Sequence, residues 1–160
     1  MLLACDTNSA VVVPDSRLDG ILQCLSEQGL PVRQLTREEE CVAFAAGHRI
    51  CGRRPVLFMQ SSGLGNAANA LGSLAVPYGL CPPLVISMRG TGEEQNPSQV
   101  PMGQSTEPLL TALGVQVFSI RSDADVEPVA RRALTAGFDE DTAVAVLLEP
   151  ALGGGRDERD

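Results

Sequence analysis

Apolar and polar positions fall into blocks along this chain, and each block carries the period of a recognisable element. Residues 10–13 form a β-branched run stopped by Pro14-Asp15-Ser16, after which Leu18, Ile21, Leu22 and Leu25 recur at helical spacing. This pattern predicts strand, tight turn and helix. Gly29 and Pro31 close that helix, residues 32–35 predict a second strand, and Thr36 opens a helix that carries Val42, Phe44, Ala45 and Ala46 and ends near Gly52. The third strand, residues 55–59, is apolar throughout, as a strand buried on both faces must be.

A turn of small residues, Gln60-Ser-Ser-Gly-Leu-Gly-Asn66, leads into a helix over 67–75, and residues 83–88 predict a fourth strand. A polar loop over 89–104 follows, long enough to be functional or mobile rather than a plain connector. Helices around 107–113 and through Val126, Val129, Ala130, Ala133 and Leu134 then alternate with strands over 115–120 and 143–148. Strict alternation implies right-handed βαβ crossovers. The expected fold is an α/β three-layer sandwich, a mostly parallel six-stranded sheet with helices on both faces. Residues 1–150 read as one domain, and the Gly-rich, charged stretch 151–160 as a disordered tail.

Composition narrows the chemistry. All 12 basic residues are arginine, so a lysine Schiff base and the lysine of a phosphate-binding P-loop are excluded. With 20 acidic residues, a net charge of -8 and 3% aromatic residues, the chain lacks the basic surplus and the stacking platforms that nucleic acid requires. Its five cysteines form no Cys-x-x-Cys pair and no cluster with the single histidine, His48. They read as free thiols of a cytoplasmic protein, with neither a zinc site nor a disulfide framework. The N-terminus has no basic region before its short apolar run, and no run has membrane-spanning length.

Ligands of open parallel sheets bind at the carboxyl ends of the strands. That rule selects Asp15 and Ser16, Glu38, the segment from Gln60 to Asn66, Arg89, and residues 119–121. The glycines of the Gln60–Asn66 turn offer backbone conformations closed to other residues, and the turn is either a ligand contact or an ordinary tight turn. In the acidic run Glu38-Glu39-Glu40, Thr36 as N-cap places Glu39 at the capping-box spacing. Glu38 is left without that structural reason, although a solvated first turn also explains it. Arg89 is either a surface charge or the bidentate partner of a carboxylate, phosphonate or sulfonate. His48, on a mostly apolar helix with no companion at ligand spacing, reads as a structural histidine.

In order along the chain, Val13-Pro-Asp-Ser16, Arg37-Glu38, Phe58-Met-Gln-Ser-Ser-Gly-Leu-Gly-Asn-Ala-Ala-Asn69, Met88-Arg-Gly90 and Gln99-Val-Pro-Met-Gly103 carry a resemblance. From about Val11 to Glu149 the chain resembles the pyrimidine-binding domain of thiamine diphosphate enzymes. Within that group it is most similar to the alpha subunit of sulfopyruvate decarboxylase and the N-terminal part of phosphonopyruvate decarboxylase. The Met-Gln-x-Ser-Gly-Leu-Gly-Asn segment is the most specific piece.

The resemblance implies that Glu38 hydrogen-bonds N1' of the cofactor's aminopyrimidine and favours the imino tautomer that deprotonates thiazolium C2. It further implies that Ser62, Gly63, Leu64 and Asn66 adjoin the cofactor, with Asp15, Ser16, Gln60, Ser61, Arg89 and Gln99 as substrate or interface contacts. Two departures bear on this. The chain has no Gly-Asp-Gly segment, through which the family holds Mg²⁺ and the diphosphate, and the histidine of the polar loop is replaced by Gln99 or its neighbours.

A half-site subunit is therefore expected. A beta subunit with the Gly-Asp-Gly…Asn motif would hold diphosphate and metal in a hetero-oligomer, with the helix over 67–75 as a candidate contact face. The implied activity is decarboxylation of phosphonopyruvate or sulfopyruvate. The alternatives are a carboligase subunit using the same cofactor, and a non-catalytic flavodoxin-like binding module, for which Pro14-Asp15-Ser16-Arg17 is a poor phosphate loop.

Overall fold

The computed structural model describes residues 5–92, 94 and 96–149, so the tail over 151–160 lies outside the described residues. The elements follow one another as β1 (Ser9–Val12), α1 (Asp19–Glu27), β2 (Val32–Gln34), α2 (Glu38–Ile50) and β3 (Pro55–Gln60), then α3 (Leu64–Ala70) and β4 (Leu84–Ser87). The chain is completed by α4 (Val100–Ala112), β5 (Gln116–Ile120), α5 (Asp123–Asp139) and β6 (Val144–Leu148). Every neighbouring pair of strands is parallel, in the order β2-β1-β3-β4-β6-β5.

Crossover handedness distributes the helices. The steps β2 to β3, β3 to β4 and β4 to β5 run one way across the sheet, and β1 to β2 and β5 to β6 run the other. Right-handed connections therefore put α2, α3 and α4 on one face and α1 and α5 on the opposite face. The buried side chains sort the same way. Val11, Leu57, Met59 and Ile86 pack with Val42, Ala45, Leu64, Ala67 and Leu110. Ala10, Val12, Val56 and Phe58 pack with Leu18, Leu22, Leu25, Leu134 and Phe138. Alternate residues of one strand serve opposite faces, which is why β3 reads as continuously apolar.

Six strands about 4.8 Å apart span roughly 24 Å, more than two helices about 10 Å wide can cover. Between α1 and α5 a groove of about 380 Å³ accordingly stays open over Val85, Val146 and Leu148. Among the described residues no helix is long and apolar enough to cross a membrane.

Strand ends shift by a residue or so, and three helical segments differ more from expectation. Helix α2 starts at Glu38 rather than Thr36, with Arg37 as its extended N-cap residue. The polar loop is shorter than its sequence suggested, because a 3₁₀ turn over Pro97–Gln99 passes directly into α4 at Val100. Pro101 sits in the first turn of α4, where a missing N–H costs nothing. The helix over 67–75 begins earlier, at Leu64, and ends in a π-helical turn over Leu71–Ala75.

Candidate active site

The three glutamates at the start of α2 have three different fates. Their position is favoured by the helix dipole, but each carboxylate is used separately. Glu40, not Glu39, closes the helix start: its Oε2 accepts from the backbone N–H of Arg37 at 3.2 Å and of Thr36 at 3.3 Å. The expected Thr36–Glu39 box is displaced by one residue because Arg37, with φ -137° and ψ 148°, is the last extended residue. Glu39 pairs with Arg37, Nε to Oε1, at 2.5 Å.

Glu38 turns towards the carboxyl end of β3. Asn66 Nδ2 donates to its Oε2 at 2.9 Å, and its side chain rests on Gly63 so closely that a Cβ there would lie 2.6 Å from both Cγ and Cδ. Glu38 is half-buried, and Oε1 accepts no hydrogen bond from the described residues. One turn further on, burial first and the Glu38 charge second push the Cys41 thiol up to about 12.

The segment that receives Glu38 was expected to be a turn with glycines in unusual backbone conformations. It is helical instead. Ser61–Gly63 form a 3₁₀ turn at the end of β3 that continues into α3, and Gly63 has φ -68° and ψ -20°, values open to any residue. Glycine is required there for room, not for conformation. Gly65 likewise lies within α3, 3.4 Å in Cβ terms from the Met102 methyl. Leu64 is fully buried in the core, which leaves only its backbone towards the edge.

The remaining candidates knit the strand ends together. Ser61 is fully buried, and its Oγ accepts from the Arg89 N–H at 3.1 Å, tying β3 to β4. Ser62 Oγ donates to Gln60 Oε1 at 2.6 Å. Ser87 Oγ donates to Asp15 Oδ2, so Asp15 reaches from the end of β1 across the end of β3 to β4. Ser16 is exposed. Gln99 lies in the 3₁₀ turn before α4, not in the open loop where its sequence had placed it, and its backbone packs on Gly90.

Four residues that the sequence did not single out complete this edge. Ser87 binds Asp15, and Arg17 Nη1 donates to the Met88 carbonyl at 2.8 Å with Nη2 4.0 Å from Glu94. Glu94 accepts from the N–H of Asn96 at 3.1 Å and of Gly90 at 3.2 Å, and these two backbone donors hold its carboxyl below the usual range. Met102 packs over Gly65. Arg17 was accessible to the strand-end rule that selected Asp15, and Met102 lies in the Gln99–Gly103 segment that carries the resemblance, whereas Glu94 carries no local signal. His48 lies at the opposite end, with Nδ1 3.3 Å from the hydroxyl of Ser9, where β1 begins, and its ring 4.4 Å from that of Phe44.

Among the described residues no three His, Cys, Asp or Glu side chains converge to hold a metal ion. No protein-family model matches the chain. Sulfopyruvate decarboxylase subunit alpha of Methanococcus maripaludis is 36% identical over 141 residues, covering 86% of this chain and 83% of that protein. The subunit of the same name from Methanothermobacter thermautotrophicus is 35% identical over 141 residues, covering 88% and 86%. A phosphonopyruvate decarboxylase of Streptomyces hygroscopicus is 31% identical over 137 residues, covering 79% of this chain and 34% of that protein.

Among solved structures, the 2-oxoglutarate:ferredoxin oxidoreductase of Magnetococcus marinus matches 95% of this chain with a TM-score of 0.73 at 16% identity. That match spans 28% of the larger chain. At such identity the likeness concerns the fold.

Proposed function

Because the chain belongs to the sulfopyruvate decarboxylase alpha-subunit family, we propose that it is the pyrimidine-binding half of a two-component, thiamine diphosphate-dependent decarboxylase. Its substrate in this reading is a 2-oxo acid with an acid group on C3, sulfopyruvate or phosphonopyruvate. In this reading the single domain expected over 1–150 is the one to which the described residues belong. The observation that carries the reading is the Glu38 carboxylate, seated on Gly63, fixed through Oε2 by Asn66, and with Oε1 uncommitted.

Those residues fit one part of the cofactor and not another. A half-buried carboxylate with one oxygen fixed and one uncommitted suits a ring nitrogen that must gain and lose a proton. Ser62 and the backbone of Gly63 and Leu64 line the same edge and would border the ring. The diphosphate and its Mg²⁺ find no comparable ligands here: the sequence has no Gly-Asp-Gly, and the described residues contain no converging metal-binding set. A beta subunit would hold both, with α2 and α3 facing it. When bound, thiamine diphosphate supplies the electron sink that accepts the charge released as CO₂ departs from a 2-oxo acid.

The tasks of this chain are positional. Glu38 holds a proton at the ring nitrogen, and Asn66 fixes the direction of the carboxylate. Gly63 leaves room for it. Ser61 and Asp15 lock the ends of β3, β4 and β1, so that the edge on which substrate rests keeps its shape. In the flavodoxin-like alternative a phosphate would have to face the Asp15 carboxylate, a like-charge contact that argues against it.

Co-expression with a chain bearing Gly-Asp-Gly tests the proposal. The two chains are expected to co-purify and, with thiamine diphosphate and Mg²⁺, to release CO₂ from one of the two substrates. Glu38→Gln should lower turnover by about 100-fold or more while calorimetry shows cofactor still bound. Turnover by the 160-residue chain alone, or a fully active Glu38→Gln complex, would refute it.

A further inference from the structure

Buried polar atoms without a partner recur on the segment that joins β4 to α4. Arg89 Nε, Thr91 Oγ1 and Gln99 Oε1 all lack one among the described residues, whereas Thr7, Glu39 and Arg54, which share that condition, are dispersed. Native proteins leave few such groups unsatisfied, and of the three the Arg89 guanidinium and the Thr91 hydroxyl can donate to an anion, whereas Gln99 Oε1 only accepts.

The Glu94 carboxyl, held low first by the N–H groups of Asn96 and Gly90, also feels the Arg89 charge, but no ion pair joins the two. Glu94 is engaged by the N–H groups of Gly90 and Asn96 and faces Arg17, and Asp15 is engaged by Ser87. Arg17, the other arginine at this edge, is committed to the Met88 carbonyl. Arg89 forms no ion pair and no side-chain hydrogen bond with the described residues. Its backbone is nevertheless firmly held. The Arg89 N–H bonds Ser61, two residues before the glycine that seats Glu38, and a Cβ on Gly103 would strike the Arg89 carbonyl oxygen.

We infer that Arg89 receives the sulfonate or phosphonate on C3 of the substrate, not its carboxylate. The inference rests on the decarboxylase reading. A carboxylate that leaves as CO₂ passes its negative charge to the adjoining carbon, so a guanidinium paired with it stabilises the ground state more than the transition state and slows the reaction. The acid group on C3 keeps its charge throughout, and pairing there costs nothing in the chemical step. The planar fork of arginine matches the oxygens of a sulfonate or phosphonate. The backbone carbonyl of Gln99 lies against Gly90, the neighbour of Arg89.

Calorimetric titration without cofactor tests this, with the full chain alone and in the co-purified complex. The probes are 3-sulfopropanoate, which keeps sulfonate and carboxylate but has no keto group, and butanoate, which keeps only the carboxylate. Arg89→Gln should weaken 3-sulfopropanoate binding by about 10- to 100-fold and butanoate binding by less than about threefold. Arg89→Lys, which retains the charge without the fork, should fall between wild type and Arg89→Gln. Equal weakening of both probes would assign Arg89 to the carboxylate and overturn the inference. So would unchanged affinity, or no binding of 3-sulfopropanoate by wild type in either form. Turnover separates the two claims: an inactive wild-type complex refutes the decarboxylase reading, whereas an active one whose kcat/KM is unaltered by Arg89→Gln refutes only the role of Arg89.

Discussion

Gly63→Ala isolates the feature on which the functional reading depends, the seating of one carboxylate. The added methyl would lie 2.6 Å from Cγ and Cδ of Glu38 and closer still to its Oε1, so the side chain must withdraw by more than 0.8 Å to reach the 3.4 Å of ordinary contact. The obstacle is the end of a flexible side chain, which can move. The backbone has no objection either, since φ -68° and ψ -20° suit alanine, and replacing glycine in a helical conformation stabilises by about 0.5–1 kcal/mol.

Against that gain stands the Asn66–Glu38 hydrogen bond, worth about 1 kcal/mol, which the displaced carboxylate gives up. The two nearly cancel, and Tm is expected to move by less than about 4 °C. Turnover is another matter, because a displacement near 1 Å of a catalytic group costs on the order of 100-fold. Thermal unfolding, decarboxylation by the two-chain complex and the side-chain amide resonances of Asn66 read the three effects separately. Full turnover with unshifted Asn66 resonances would refute the reasoning. A Tm lowered by more than about 8 °C would show that Gly63 protects the fold instead of the carboxylate.

Two further predictions follow from the same geometry. At Gly103 a Cβ would meet the Arg89 carbonyl oxygen and lie 2.8 Å from the Gly90 carbonyl carbon and 2.9 Å from its Cα, all backbone. Gly103→Ala should therefore destabilise the chain by about 1–3 kcal/mol, read from the urea midpoint, and an unchanged midpoint would contradict the packing of α4 on this loop. Cys41 and Cys81 are buried and their thiols are pushed up to about 12, so below that pH the neutral, unreactive form prevails. At pH 8 a thiol reagent should label exposed Cys24 and Cys51 rapidly, and Cys41 and Cys81 only after denaturation. Mass-spectrometric detection of label on native Cys41 would overturn this.

Much of the fold was legible because periodicity is local. The apolar run of β3 and the spacing of Leu18, Leu22 and Leu25 state their elements without reference to the rest of the chain. Helix α4 was harder to read, because Pro101, Gly103 and Pro108 resemble loop residues. Gly103 is small because the Arg89–Gly90 backbone lies against it, and Pro101 is tolerated because the first turn has no use for its N–H. Neither reason is visible within a short window of sequence.

The strand-end rule, applied to the sequence alone, selected Asp15 and Ser16, Glu38, the Gln60–Asn66 segment, Arg89 and residues 119–121, and the absence of lysine excluded lysine chemistry. Which of those residues meet was decided by tertiary structure. Glu38 reaches Asn66 and Gly63 only because β2 and β3 lie on either side of β1, which brings the starts of α2 and α3 together. Whether a strand-end residue is spent on structure or left for a ligand depends on partners far away in sequence. Asp15 is spent on Ser87 and Arg17 on Met88, while the guanidinium of Arg89 finds no partner among the described residues. Periodicity arises from contacts within one element and can be read along the chain. The division of labour among polar groups arises from contacts between elements and exists only once the sheet has formed.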